Sequence, residues 1–273
     1  MTEIKKMTDL EVIVLITFFF VPTLAIFVNS AEIWILARKR RSMTNNERIL
    51  LSLSIADLLV GITFVVFHAV QIRINRTWLK LGSGYLLWFS IMVSCFHIVY
   101  MTADRCIAVV FPFKHRIWVT TSRTTYCIFW IWMGSGAVMA VLITEATQQI
   151  TRTVLGYVIN VTIILMIFTY GVIIYKVVIQ RRRLQRVQDN RQSNTASSMK
   201  KDRNLVIMCV LIATTFAALT LPFSIKTVAH EKETFPERIA VVFNSLTNPF
   251  IYFFWRYLER RNENHRPTQV EMK

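Results

Sequence analysis

The chain has 273 residues, 54% of them hydrophobic, and a mean hydropathy of +0.44, which is too apolar for a soluble domain of this size. Its formal net charge of +16 would suit a nucleic-acid partner, but the basic residues sit in short stretches between long apolar blocks, which argues against one. No nucleophile–base set and no metal-ligand spacing appears, so an enzyme is excluded on the same reading.

Seven apolar blocks occur, at roughly 10–37, 49–72, 81–111, 124–144, 153–179, 204–229 and 236–255. Each reaches the roughly 20 residues that a bilayer crossing needs. The expected fold is an all-α membrane protein, a seven-transmembrane helix bundle. One domain spans 1–261, including a short amphipathic helix after the seventh span, and 262–273 forms a short tail. The first block begins near Leu10, is long and ends in a basic stop, so it reads as a span rather than a cleaved signal. Basic residues follow the first block (Arg38 to Arg41), the third (Lys114, Arg116, Arg123), the fifth (Arg181 to Arg183, Arg186) and the seventh (Arg256, Arg260, Arg261). Basic loops stay cytoplasmic, which puts the N-terminus outside, in a multi-pass plasma-membrane protein. The same belt can hold anionic lipid headgroups.

The first span carries Asn29 and, one turn on, Glu32. The second carries Asp57 near mid-membrane, where an ionisable group usually faces the bundle. The loop that follows holds the sequon Asn75-Arg-Thr77 on the outer side, an expected glycosylation site. A second triplet, Asn160-Val-Thr162, lies inside the fifth span and should stay bare. Asp104 and Arg105 close the inner end of the third span. In the fourth, Gly134, Ser135 and Gly136 should allow close helix contact. The fifth carries Tyr170 and Tyr175 toward its inner end.

The polar loop from Gln180 to Met199 should be flexible, with Ser193, Thr195, Ser197 and Ser198 as candidate phosphorylation sites. The sixth span opens with Asp202, carries Phe216 and should break at Pro222. The seventh ends in Asn244-Ser-Leu-Thr-Asn-Pro-Phe-Ile-Tyr252. Pro249 removes a backbone donor, and Asn248 adds a polar side chain where there is no water, so a kink and a polar knot are expected. Arg256 to Asn262 should form the amphipathic helix, with Phe253, Phe254, Tyr257 and Leu258 toward lipid. The four cysteines (Cys95, Cys106, Cys127, Cys209) all fall in helical blocks, so no outer disulfide is expected. No internal repeat supports an inverted-repeat transporter.

Taken in order, Asn29, Leu53-Ser-Ile-Ala-Asp57, Asp104-Arg105-Cys106, Trp132, Tyr170, Phe216 with Pro222, and Asn248-Pro249-x-x-Tyr252 resemble the rhodopsin-like family of G-protein-coupled receptors. The resemblance covers nearly the whole chain. It implies a heterotrimeric G-protein as inner partner and an extracellular small-molecule or lipid ligand. It implies that Arg105 pairs with Asp104, and with Asp202 across the third and sixth spans. On activation the sixth span would swing about Pro222, with Phe216 and Thr220 near the hinge, and Arg105 would turn toward Tyr170 and Tyr252. Asp57, Ser94, Asn244 and Asn248 match the family's buried sodium site. One carboxylate with neutral oxygens suits a hard monovalent cation; the alternative is a polar network holding water and no ion. Beyond that ion no cofactor is implied.

Some residues depart from the family pattern. Cys106 replaces the usual Tyr, Thr220 the usual aromatic switch, and Thr162 the usual proline of the fifth span. The cysteine that normally closes the third span to the second outer loop is missing, with Lys80 near its place. These losses are similar to the branch holding melanocortin, lysolipid, cannabinoid and adenosine receptors.

The outer half of the third span offers Leu87, Trp88 and Ile91 but no carboxylate, and Val242 stands where an opsin has its retinal lysine. By the same resemblance, amines and retinal are excluded as ligands. His68, Gln71, Thr220, Phe223, Ser224, Lys226 and Arg238 would complete an apolar pocket with a cationic rim, suited to a lipid or small anion. Alternatively Lys226 and Arg238 snorkel to headgroups or pair with Glu231, Glu233 or Glu237. Two other functions compete: a seven-helix channel or transporter using Asp57, and a receptor-like protein with ligand-independent activity.

Overall fold

A computed structural model describes residues 9–39, 42–74, 76–142, 148–187, 194–231 and 235–264. They form eight helices: α1 (Asp9–Arg38), α2 (Asn45–Arg73), α3 (Thr77–Val110), α4 (Pro112–Trp118), α5 (Thr121–Val141), α6 (Gln148–Val187), α7 (Asn194–Val228) and α8 (Phe235–Asn264). No strand occurs among the described residues. The seven long helices are the seven spans, and the protein is a seven-helix membrane bundle. The short α4 is an additional turn in the second inner loop, begun by Pro112 at a first-turn position where its missing N–H leaves nothing unpaired.

Six helices among the described residues are long and apolar enough to cross a membrane. α8 is not among them, and Asn244, Ser245, Thr247 and Asn248 interrupt its apolar run. Of these, Ser245 and Asn248 reach Asp57 inside the bundle.

α3 runs through the middle and packs on α2, α5, α6 and α7, while α8 closes the ring against α1, α2 and α7. Leu53, Ile98, Met101, Ile159, Ile173, Ile212 and Phe216 are fully buried between these helices. The outward faces carry Phe27, Trp130, Phe168 and Phe250, the pattern of a bundle whose solvent is lipid. α2 starts on a capping box: Thr44 Oγ1 accepts the Glu47 N–H at 3.3 Å, and Glu47 Oε2 accepts the Thr44 N–H at 2.9 Å. α1 and α2 come close at Gly61, where a Cβ would lie 2.9 Å from Ile26 Cγ1 and 3.2 Å from the Pro22 carbonyl.

The helices differ from the sequence expectations in four places. First, a Cβ on Gly134 would meet nothing within 4 Å, and one on Gly136 only the Phe89 ring at 3.9 Å. The rotation of α5 points Ser135 inward instead, and it is buried. Second, the Gln180–Met199 segment is helical through Val187 and again from Asn194, since Arg, Leu, Gln, Ala and Met favour the helix despite their polarity. Third, α7 is not broken by Pro222, which lies inside the helix. Fourth, residues 256–262 continue α8 without a break, because neither Gly nor Pro separates them from Tyr252. Asn75, Ser193, Glu233 and the tail from 265 onward lie outside the described residues, as do the side chains of Thr195, Ser197, Ser198, Asp202, Tyr257 and Leu258.

Candidate functional site

Pro249 has no N–H, so the carbonyl of Ser245, four residues earlier, loses its helical donor. Asn29 supplies one. Its Nδ2 donates to the Ser245 carbonyl at 3.0 Å, and to its own helix at Ala25 at 2.8 Å. The freed bond is thus spent between helices, tying α1 to α8.

One turn further along α8, Asn248 Nδ2 donates to Asp57 Oδ2 at 2.8 Å, while Ser94 Oγ donates to Oδ1 at 2.7 Å. Ser245 hydrogen-bonds the same carboxylate. Asp57 is wholly buried and joins α2, α3 and α8. The Oδ1 atoms of Asn244 and Asn248 lie buried beside this knot with no protein partner. A small cavity of about 10 Å³, room for roughly one water-sized particle, is lined by Ser94, Asn244, Ser245 and Thr220 among others. Asp57, Ser94, Asn244 and Asn248 therefore come together, with only oxygens and amides in the set.

Two further polar contacts were not anticipated. His97 places Nδ1 2.8 Å from the Val93 carbonyl, so Nδ1 carries the hydrogen and Nε2 accepts. Ser52 Oγ lies 2.7 Å from Nε2, and Trp132 Nε1 donates to Ser52 Oγ at 3.0 Å. Every donor and acceptor in this relay from α5 through α2 to α3 is used. Glu32 is the second: it is buried, with Ser54 Oγ 2.9 Å from its Oε2. The sequence signal was present in both cases, since Ser52 and Ser54 precede Asp57 by about one turn and His97 follows Ser94 by three residues.

At the inner end of α3, Arg105 pairs with Asp104 Oδ2. The other oxygen, Oδ1, is 2.9 Å from His115 Nε2 on α4, a partner that sequence reading missed. The Asp202 side chain lies outside the described residues. Tyr170 is buried with its Oη 3.5 Å from Thr102 Oγ1, one turn before Arg105, and Tyr252 is buried on α8. Phe216 and Thr220 are buried on the inward face of α7, with Thr220 Oγ1 donating to the Phe216 carbonyl at 2.7 Å.

The outer half encloses a cleft. Leu87, Trp88, Ile91, Phe223 and Arg238 line it as expected from the sequence. His68 does too, within a box of Phe18, Phe64 and Phe67 whose ring centroids lie 4.1, 4.3 and 4.8 Å from its own. Arg152 was not anticipated. It lines the cleft with its guanidinium 5.6 Å from the centroid of the Trp88 indole, within cation–π range. Four expected residues stand elsewhere, Thr220 among them at the small cavity. Ser224 is buried in the α6–α7 seam, donating to the Leu221 carbonyl at 2.9 Å with Asn160 Oδ1 at 3.3 Å. Lys226 pairs with Glu237 across α7 and α8; Gln71 also lies off the lining. Among the described residues no carboxylate lines the cleft, and it shares Ile91 and Val241 with the small cavity below it. Cys95, Cys106 and Cys127 are free thiols.

The geometry can be set beside known proteins. The family model "7 transmembrane receptor (rhodopsin family)" matches residues 28–252. The cholecystokinin receptor of Xenopus laevis is 28% identical over 42% of this chain and 26% of its own length. The pyroglutamylated RF-amide peptide receptor of Rattus norvegicus is 24% identical over 88% of this chain and 66% of its own. The tachykinin-like peptides receptor 86C of Drosophila melanogaster is 26% identical over 84% and 53%. The chain thus spans less than two thirds of each of these relatives. The family match takes in well over half of the chain, from Val28 in α1 to Tyr252 in α8, and the chain belongs to the rhodopsin family of seven-transmembrane receptors.

Proposed function

We propose that the chain is a plasma-membrane receptor that passes binding of an extracellular ligand to heterotrimeric G-proteins. The observation that carries this reading is vertical continuity. The outer cleft and the small cavity share Ile91 and Val241. The small cavity borders the Asp57–Ser94–Asn248 knot, and α3 leads from Ser94 down to Arg105. A ligand that shifts α3 against α8 in the cleft therefore also acts on the knot. Coupling between the two faces must then be reciprocal.

In the resting arrangement Arg105 is held by Asp104, which His115 also engages. On activation the inner half of α7 swings outward about Pro222, whose missing N–H leaves the Ala218 carbonyl without its helical donor and weakens the helix there. Arg105 then leaves Asp104 and turns toward Tyr170 and Tyr252, opening the inner face to the G-protein. The names of two of these relatives give peptide ligands, but identities of 24 and 26% do not carry a ligand across. The cleft chemistry favours a lipid or small anion.

A sodium ion fits the inner polar knot: Asp57, Ser94, Asn244 and Asn248 supply hard oxygens, two of them otherwise orphaned. The ion would neutralise the Asp57 charge and brace the resting state.

The test is ligand-free activation of a panel of G-protein subtypes, at matched surface levels. Arg105→Ala should abolish the basal signal. His115→Ala and Asp202→Ala should raise it several-fold, each by removing one restraint on the inner face. A signal that survives Arg105→Ala overturns the coupling mechanism. Silence of every variant together with an Asp57-dependent ion current would favour a channel.

A further inference from the structure

Two buried histidines are set up alike and end differently. His97 and His68 each turn Nδ1 onto the carbonyl four residues earlier, Val93 at 2.8 Å and Phe64 at 2.9 Å. In a neutral imidazole this makes Nδ1 the donor and leaves Nε2 with a lone pair. For His97 that lone pair receives the hydroxyl of Ser52. For His68 it receives nothing: Nε2 is buried and has no hydrogen-bond partner, in a residue only 9% exposed. Three phenylalanine rings enclose the imidazole and offer no donor. A buried polar atom left unpaired is costly and uncommon, and this one borders the outer cleft.

The rest of the lining has the opposite character. Arg152 and Arg238 present guanidinium groups, and among the described residues no carboxylate lines the cleft with them. The cleft therefore combines cationic groups that suit an anion with one acceptor that calls for an N–H or O–H. Between them the walls are aromatic and aliphatic: Trp88, Phe223 and Leu155. Water-sized particles fit within about 70 Å³ of the cleft, which suits a compact ligand better than a long lipid chain.

We propose that the cleft binds a compact, largely apolar anion that also carries a hydrogen-bond donor: its carboxylate or phosphate sits against Arg152 and Arg238, and its N–H or O–H is donated to Nε2 of His68. This rests on the outer cleft being the ligand site, and it makes His68 the residue that distinguishes a donor-bearing anion from a plain fatty acid.

The probes are hydroxyphenyl-alkanoic acids with a side chain of one to four methylenes, their methyl ethers and their methyl esters. Their binding to the full chain in lipid nanodiscs is measured by thermal stabilisation. The best phenol-acid should bind roughly tenfold or more tighter than its ether, the loss expected for leaving a buried acceptor unpaired. It should also bind at least roughly tenfold tighter than its ester, which lacks the charge. His68→Phe should erase the preference for phenol over ether and keep that for acid over ester. Arg152→Gln combined with Arg238→Gln should do the reverse. The ether and ester comparisons on the unaltered chain need no variant, so a misfolded substitution leaves the test intact. Equal binding of phenol and ether, equal binding of acid and ester, or binding by none of the series overturns the proposal. The coupling reading fails separately, because basal signalling through Arg105 is read without any probe.

Discussion

Asp57 is the residue on which most of the bundle converges. Its carboxylate takes hydrogen bonds from α3 and α8 at once, through Ser94 at 2.7 Å and Asn248 at 2.8 Å. A charge buried there without compensation would be expensive, and the orphaned Asn244 and Asn248 oxygens beside it are suited to a cation. Sodium should therefore stabilise the protein. At a concentration ten times its dissociation constant, linkage gives about 1.4 kcal/mol. Replacing choline chloride with sodium chloride at constant ionic strength should raise the unfolding temperature of the unaltered chain and leave Asp57→Asn unmoved. An equal rise in both would place the effect elsewhere. The members of this knot were legible in the sequence through the family resemblance, which groups Asp57, Ser94, Asn244 and Asn248. Their neighbours were not. That His115 would engage Asp104, or that Arg152 would face the cleft, depends on how far each helix is rotated about its axis, as does the choice of Glu237 among the partners open to Lys226. Residue spacing along a single span does not fix that angle.

At the level of elements, the bond between α1 and α8 follows from a deletion. Pro249 withholds a donor from the Ser245 carbonyl and Asn29 replaces it at 3.0 Å. Asn29→Ala should cost about 1–3 kcal/mol, because the carbonyl is left unpaired away from water. In a Pro249→Ala background the new backbone N–H serves the same carbonyl, so the cost of Asn29→Ala should fall toward zero. A double-mutant cycle on thermal unfolding of the purified protein measures the coupling; strict additivity would show that the two residues act independently. Helix existence was readable from hydropathy, and so were the functions of Pro249 and Asn29 in outline. Helix ends were less so. The arginine-rich start of the inner loop reads as a flexible linker by polarity, yet Arg181 to Val187 continue α6, since arginine, leucine and glutamine are good helix formers whatever their solvation. Gly134 and Gly136 read as a packing face, but the residue between them is the one turned inward.

On the scale of the whole molecule, the cleft, the small cavity and the inner Arg105–Asp104 pair lie along one helix, α3. On the proposed receptor function, binding outside and coupling inside bias the same two-state equilibrium. The direct measurement is the distance between spin labels at the inner ends of α3 and α7, by double electron–electron resonance, in a background without Cys95, Cys106, Cys127 and Cys209. Adding a coupling-competent G-protein heterotrimer should shift the distribution to longer distances by several ångströms. Sodium should shift it back, and Arg105→Ala should hold it at the resting distance. A distribution that stays the same with and without the heterotrimer would contradict the account, because the inner face would then be no switch.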